Sequence, residues 1–237
     1  MKKIYLLISL SVLGWMTPAS AQDDNLSIKA FVEILQAAEY PQILDARSPE
    51  EFSQNRIKGA VSADMTDSVG LKKLIGALNP KVPTFTYSIN SGRSAVLANR
   101  LRASGFERVY VLPGGLANWV GAGYPLEMSG EKGVELTGEQ FEQLTRSNDL
   151  ALVDFGSKYC GGCRRLVPVL DSLETSFSSD LKIVRIELYE NPGLVKDQHI
   201  ESLPTLVLFR KGEKVWTHRG FITAAALSHV IKGHLTP

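Results

Sequence analysis

The chain has 237 residues, with 26 Lys and Arg against 25 Asp and Glu, so its formal net charge is +1. Because the basic residues are scattered and not clustered, the charge pattern gives no indication of nucleic-acid binding. The chain is longer than most single α/β domains and is sufficient for two domains of about 100 residues each.

The first 21 residues have the three parts of a secretory signal peptide. Two lysines follow the initial methionine, Ile4 to Trp15 is an apolar run, and Ala19 to Ala21 are small residues at a cleavage position. The apolar run is shorter than the roughly 20 residues of a membrane-spanning helix, and an uncleaved N-terminal anchor is the alternative. We expect a cleaved signal peptide over 1–21, a mature chain from near Gln22, and a periplasmic or otherwise exported protein without stable membrane insertion.

Between residues 26 and 128, short apolar strands alternate with helical patterns. Ser27 and Ser48 are suitable N-caps for two of the helices, and Pro49 fits the first helical position after Ser48. Alternation of strands and helices implies parallel pairing with right-handed crossovers. The predicted strands are 42–45, 60–63, 84–88 and 108–112, and the predicted helices begin after Ser27 and Ser48 and cover 69–78, 94–103 and 116–120.

The segment 129–136 is polar, bears glycine and has no periodicity, so we predict a linker there. A second α/β unit follows over 137–237. Thr137 and Gln140 form a capping box for its first helix. The predicted strands are 150–155, 181–187, 205–210 and 214–217, and the predicted helices are 137–146, 163–177 and 223–231.

The chain contains two cysteines, Cys160 and Cys163, and they form one C-x-x-C motif. A strand pattern precedes Cys160 and a helix pattern contains Cys163, so the thiols are expected at a helix N-terminus, which favours thiolate. Cys160, as the more exposed residue, is expected to attack a disulfide, and Cys163 to resolve the mixed disulfide. From the residues alone, two alternative interpretations of the motif remain open: half of a zinc site and an inert structural disulfide. The four histidines, which are the candidates to complete a zinc site, are spread singly along the chain.

The region from about Leu136 to the C-terminus resembles the thioredoxin family. The matching features are Asp154 before the first cysteine, Pro168 within the helix, and the sequence LPTLVLF at 203–209. The resemblance implies that Asp154 is buried and handles the proton of the resolving thiol. It also implies that Pro204 is cis and lies against the disulfide.

The same resemblance implies a client-binding surface around the disulfide. Its expected residues are Tyr159, Gly161, Gly162, Leu203 and Gly220. Arg185 falls where thioredoxins often carry a lysine paired to the buried acid. Thioredoxins typically have Trp-Cys-Gly-Pro-Cys, whereas this chain has Tyr-Cys-Gly-Gly-Cys, which leaves the direction of electron flow open. No histidine stands between the cysteines, which favours a reductant or isomerase over a strong oxidant.

The region Leu26 to Glu127 is similar to the rhodanese family along nearly its whole length. The matching segments are ILDARSPEEFSQNRIKGAVSAD at 43–64 and GFERVYVLPGGLANWVGAGYP at 105–125. In active rhodaneses a loop cysteine holds a persulfide, and Ser88 stands at that position. Since a hydroxyl forms no stable persulfide, we expect no sulfurtransferase activity. Gly92 and Arg93 remain as an anion-binding nest or, alternatively, as part of a plain turn and helix cap.

These features predict a two-domain α/β protein, a rhodanese-like parallel-sheet domain followed by a thioredoxin-like domain. The leading hypothesis is an exported thiol-disulfide oxidoreductase that acts on protein disulfides, with the first domain docking clients or binding an anion. The alternatives are a binding scaffold with a structural disulfide and a sulfane-sulfur relay protein. Expected partners are client proteins with disulfides and a membrane thiol reductant or oxidant. We expect no metal and no cofactor besides a redox-active Cys160–Cys163 disulfide.

Overall fold

The computed structural model describes residues 26–129 and 135–235, which carry two α/β units with separate sheets. The predicted signal peptide and most of the predicted linker lie outside the described residues. Within the described ranges, no helix combines the length and the apolar character needed to cross a membrane.

The first domain is built on a parallel sheet with the strand order β3-β1-β4-β5. Its elements are α1 (Ile28–Ala37), β1 (Gln42–Asp45), α2 (Pro49–Gln54), β2 (Asn55–Arg56), β3 (Val61–Ser62), α3 (Ser68–Ala77), β4 (Thr84–Tyr87), α4 (Gly92–Ala103), β5 (Val109–Val111), α5 (Gly115–Gly121) and β6 (Glu127–Met128). The parallel pairing confirms the prediction. The short antiparallel pair β2–β6 was not predicted, because strands of two residues have no readable periodicity.

Helices cover both faces of this sheet. Because successive residues of a strand point to opposite faces, Ile43 and Leu44 of β1 belong to different apolar clusters. Phe31 of α1 lies in the cluster of Ile43, and Leu71 of α3 and Leu97 of α4 lie in that of Leu44. The two layers leave the carboxyl end of β4 free to lead into the loop that precedes α4.

The second domain has a mixed sheet with the strand order β10-β9-β7-β8. Its elements are α6 (Gly138–Arg146), β7 (Leu150–Gly156), α7 (Gly161–Ser176), β8 (Leu181–Glu187), α8 (Pro192–Asp197), β9 (Thr205–Arg210), β10 (Glu213–Arg219) and α9 (Ala224–Leu235). β7 is parallel to β8 and antiparallel to β9, and β9 is antiparallel to β10. Helix α8, which has six residues and begins at a proline, was not predicted.

The central strand β7 leads to the two cysteines of the second domain. All seven of its residues are buried, and Asp154 is the one charged residue among them. Val153 and Phe155 belong to an apolar cluster that also contains Ile89 and Val120 of the first domain. The two domains therefore share part of one hydrophobic core at the end of β7 that leads to the cysteines.

A buried arginine also joins the two domains. Arg47 has no exposed surface, and its guanidinium forms an ion pair with the equally buried Asp45 at 2.7 Å. It donates further hydrogen bonds to the Asn55 side chain at 3.0 Å and to the hydroxyl of Tyr189, in the second domain, at 3.1 Å. A buried charge needs such partners, because burial removes its water without replacement.

Arg47→Met is expected to lower the free energy of unfolding by about 3–5 kcal/mol, because it leaves the Asp45 carboxylate buried without its cation. Urea denaturation followed by circular dichroism measures the change. The matched control is Arg56→Met, whose partly exposed ion pair with Glu127 contributes under about 1 kcal/mol. Equal losses in the two variants would contradict the structural role of Arg47.

Candidate functional site

Cys160 and Cys163 form a disulfide at the N-terminus of α7. The helix begins at Gly161, earlier than predicted, and Cys160 is its N-cap. The Cys163 backbone N–H donates to the Cys160 sulfur at 3.2 Å. Free N–H groups and the helix dipole at this position favour negative charge on the Cys160 sulfur once the disulfide is reduced.

Pro204 lies directly beside the disulfide, and the Leu203–Pro204 peptide is cis. A Cβ on Gly162 would be 3.0 Å from Pro204 Cδ and 3.8 Å from the Cys160 sulfur, so Pro204 packs against the turn between the cysteines. The Gly220 N–H donates to the Pro204 carbonyl at 2.8 Å. Gly220 has a φ of +91°, a conformation that favours glycine. The fold thus brings these predicted site residues together.

Asp154 is buried, as the resemblance to thioredoxins implied, and it lies behind the disulfide. Only 6% of it is exposed, and its Oδ1 has no hydrogen-bond partner among the described residues. Burial raises the pKa of Asp154 to about 6, with the nearby Arg185 charge acting in the opposite direction. A Cβ on Gly156 would lie 3.6 Å from the Cys163 sulfur and 3.7 Å from Asp154 Oδ1. Carboxyl and thiol therefore border one small space, which suits proton transfer directly or through a water.

Two groups near Asp154 differ from the sequence-based picture. Arg185 does not pair with Asp154; its guanidinium bonds Asp171 at 2.7 Å and Glu174 at 3.3 Å on the surface of α7. Its long side chain reaches those solvated carboxylates, so only its charge acts on Asp154. Glu187, which was not predicted as a site residue, has a buried Oε1 without a partner among the described residues, and burial raises its pKa.

The prediction that Cys160 is the more exposed cysteine is wrong. Cys160 is 0% exposed and Cys163 is 6% exposed. The first domain covers the sulfur of Cys160, because Asn90 Nδ2 lies 3.9 Å from it and Ile89 packs in the same apolar cluster. No local pattern around the cysteines could have indicated this, since the covering loop is 70 residues away in the chain.

Tyr159, next to Cys160, also contacts the first domain. Its hydroxyl accepts a hydrogen bond from Gln54 Nε2 at 2.5 Å and donates one to Glu50 Oε1 at 2.8 Å. Lys158 Nζ lies 4.9 Å from the centroid of the tyrosine ring. The aromatic residue expected to meet clients is thus held by α2.

The loop of the first domain is closed by its own contacts. Ser88 is 1% exposed, and its hydroxyl donates to the Asn90 carbonyl and lies 3.3 Å from the Ser94 hydroxyl. Helix α4 begins at Gly92, ahead of the predicted start. Arg93 is bound through both terminal nitrogens to Glu51, at 2.6 and 2.8 Å. Because a carboxylate already neutralises Arg93, the arrangement favours a plain turn and helix start over an anion nest.

Comparison with known proteins identifies the second domain. Residues 132–233 match the Thioredoxin family model. Over 103 residues the chain is 34% identical to the thioredoxin of Porphyra purpurea, a match that covers 43% of this chain and 96% of that protein. The chain belongs to the thioredoxin family. Thioredoxin 1 of Synechococcus elongatus is 33% identical over 94 residues, which are 40% of this chain and 88% of that protein.

The first domain matches a family model as well, and the chain is similar to solved structures. Residues 27–122 match the Rhodanese-like domain model, so a rhodanese-like domain precedes the thioredoxin domain in the predicted order. A mutant thioredoxin from Halobacterium salinarum NRC-1 is 31% identical, with a TM-score of 0.39 and coverage of 44% of this chain and 90% of that one. The thioredoxin relatives and the Cys160–Cys163 disulfide support thiol-disulfide oxidoreductase activity.

The raised pKa of Asp154 predicts a pH-dependent stability. The folded-state pKa of about 6 lies above the ordinary 3.8, so the contribution of the protonated acid to stability is present at low pH and lost as the pH rises through 6. Asp154→Asn is expected to raise the free energy of unfolding of the oxidised protein by about 2–3 kcal/mol at pH 8 and far less at pH 4.

Urea unfolding at pH 4 and pH 8 measures the difference. Asp149→Asn, an exposed residue just before β7, is the matched control and should change stability by no more than about 0.5 kcal/mol. A gain at Asp154 that is the same at both pH values would argue against a buried carboxyl with a raised pKa.

Proposed function

We propose that this protein is an exported thiol-disulfide oxidoreductase that acts on protein disulfides through Cys160 and Cys163. The observation that carries the proposal is the disulfide at the N-terminus of α7, against cis-Pro204 and across Gly156 from the buried Asp154. This arrangement provides a nucleophile, a resolving thiol and a proton acceptor within one short segment.

The first step forms a covalent bond with the client. In the reduced protein the Cys160 thiolate, stabilised by the Cys163 N–H and the helix dipole, attacks one sulfur of a client disulfide. The client disulfide breaks, and its other sulfur leaves as a thiolate. Leu203 and Pro204 align the client backbone, and Tyr159 is part of the same surface.

The second step releases the client. The Cys163 thiol transfers its proton to Asp154 and attacks the sulfur of Cys160, so the mixed disulfide breaks and the second client sulfur leaves as a thiolate. Two electrons pass from the dithiol to the client, and the Cys160–Cys163 disulfide remains. A pKa of about 6 allows Asp154 to accept and return this proton near neutral pH. We propose a membrane thiol protein as the electron partner that reduces the disulfide again.

The two residues between the cysteines support a function as a reductant or isomerase. Gly161 and Gly162 supply no imidazole that could hold the Cys160 thiolate at a very low pKa, as strong oxidants of this type do. The rhodanese-like domain is proposed to be inactive in sulfur transfer. Its loop has the Ser88 hydroxyl where a persulfide sulfur would be needed, and Arg93 is already paired with Glu51.

We also propose export, from the signal-peptide pattern of residues 1–21. Intact mass of the protein recovered from the exported fraction of expressing cells is expected to correspond to a chain that begins near Gln22. A mass that retains residues 1–21 would contradict cleavage.

Cys160→Ser is expected to abolish the reduction of insulin disulfides by the protein, because no nucleophile remains. Cys163→Ser keeps the first step and loses the second, so mixed disulfides with client proteins should accumulate and be visible on non-reducing gels. Asp149→Asn, an exposed change in the same domain, is the control and should retain turnover. Insulin reduction by Cys160→Ser at the wild-type rate would refute the mechanism.

A second candidate, a binding scaffold with a permanent disulfide, is favoured by one observation, the complete burial of Cys160. The reduction potential of the disulfide distinguishes the two functions. A value between about −120 and −270 mV supports the oxidoreductase, and a value below about −300 mV supports the scaffold.

A further inference from the structure

The side chain of Asn90 makes two hydrogen bonds to the backbone of Leu203, the residue before cis-Pro204. Its Oδ1 accepts from the Leu203 N–H at 3.2 Å, and its Nδ2 donates to the Leu203 carbonyl at 2.9 Å. The same Nδ2 lies 3.9 Å from the Cys160 sulfur. One amide of the rhodanese-like domain thus engages both polar groups of the Leu203 backbone beside the reactive sulfur.

These bonds have the pattern of a strand added in antiparallel pairing. There, one residue both donates its N–H to and accepts with its C=O from a single partner residue. A side-chain amide offers the same donor and acceptor as a peptide group. The pairing of β9 with β7 and β10 starts at Thr205, so it leaves the Leu203 backbone free for another partner. Asn90 therefore occupies the place where the backbone of an extended client would bind.

The rest of the loop closes the space over the disulfide. Ile89 is 5% exposed and lies, with Ala117 and Val120 of α5, in the apolar cluster that contains Cys160. Disulfide exchange requires the attacking sulfur to contact a sulfur of the client. With no exposed surface on Cys160, no client disulfide reaches it in this arrangement.

The fold of the rhodanese-like domain holds the loop in this position. The bidentate ion pair of Arg93 with Glu51 ties the end of the loop to α2. Gly115 of α5 packs so closely on the loop that a Cβ there would be 2.5 Å from the Ser88 carbonyl oxygen and 2.7 Å from the Asn90 backbone. Asn90 is therefore presented by a supported loop and not by a free side chain.

A second contact lies on the other side of Cys160. Gln54 and Glu50 of α2 both bond the hydroxyl of Tyr159, the residue before Cys160. The rhodanese-like domain is thus attached to the thioredoxin domain at Leu203 and at Tyr159, on either side of the disulfide. Opening must break polar bonds at both places and expose part of a shared apolar core.

We propose that the loop 88–91 is the resident occupant of the client-binding site and that Asn90 determines which disulfides reach Cys160. A protein disulfide next to an extended segment replaces both Asn90 bonds with its own backbone, whereas a small reagent without an amide replaces neither. The rhodanese-like domain is therefore a gate that favours extended protein clients. The proposal rests on the proposed function only in taking Cys160 as the attacking thiol.

The test measures access to Cys160 in the full chain. In a Cys163→Ser background Cys160 is the sole thiol, and its rate of modification by methyl methanethiosulfonate, a small reagent without an amide, is followed by mass spectrometry. Adding Asn90→Ala should increase the rate at least about tenfold, because the closed state then leaves the Leu203 N–H and C=O unpaired. Asn99→Ala, the same change at an exposed position of α4, should leave the rate unchanged.

A second variant distinguishes opening of the site from misfolding of the loop. Gln54→Ala removes a bond at Tyr159 without touching the loop, and it should increase the modification rate by a smaller factor. Circular dichroism of each variant checks that the fold is retained. Wild-type modification rates in both Asn90→Ala and Gln54→Ala would overturn the proposal.

Insulin reduction, measured on the same substitutions with both cysteines present, separates the gate from the proposed function. Faster modification together with no insulin reduction by any variant would support the gate and refute the oxidoreductase. Insulin reduction together with unchanged modification rates would support the oxidoreductase and overturn the gate.

Discussion

Arg47 is a full positive charge without exposed surface, and its neutralisation requires that separate segments of the chain meet at one point. Asp45 at the end of β1 supplies the counter-charge, Asn55 supplies a side-chain acceptor, and Tyr189 supplies a hydroxyl from the thioredoxin domain. Removing any of these partners leaves a buried cation less well compensated, which is costly in a low-dielectric interior. The position of α2, which lies between Arg47 and Asn55 in the chain, follows from this constraint, as does its approach to the second domain.

From α2 the constraint extends to the reactive site. Glu51 fixes Arg93 and with it the end of the loop that carries Asn90, while Gln54 contacts Tyr159 beside Cys160. The loop at the position where active rhodaneses hold a persulfide contacts Leu203 of the second domain in this chain. A serine at position 88 suits this use, because its hydroxyl satisfies polar groups inside the loop.

The thioredoxin domain meets its own chemical requirements within a small volume. Pro204 packs against Gly162 beside the disulfide, and Gly156 leaves the space between Asp154 and Cys163 open. Keeping a carboxyl buried there destabilises its charged form and so reduces stability at neutral pH. The same burial brings the pKa of the acid to about 6, so in the proposed mechanism Asp154 accepts and returns a proton near neutral pH.

The sequence by itself determined the two-domain α/β architecture and the alternation that produces parallel strands, and its resemblance to the thioredoxin family indicated the burial of Asp154. Periodicity, capping residues and the C-x-x-C motif are local signals, and local signals specify helices, strands and the residues at their ends. The short elements β2, β6 and α8 were not predicted, because they contain too few residues to show a period.

Only the tertiary structure decided the exposure of Cys160 and the partners of Asn90, Tyr159 and Arg185. An asparagine in a loop of Ser, Asn and Gly is an ordinary turn residue by its sequence. Its contact with Leu203 joins positions 113 residues apart. Such a contact depends on how two separately specified domains pack, and that packing is set by a buried charge and a shared apolar core, which have no signature in any single segment.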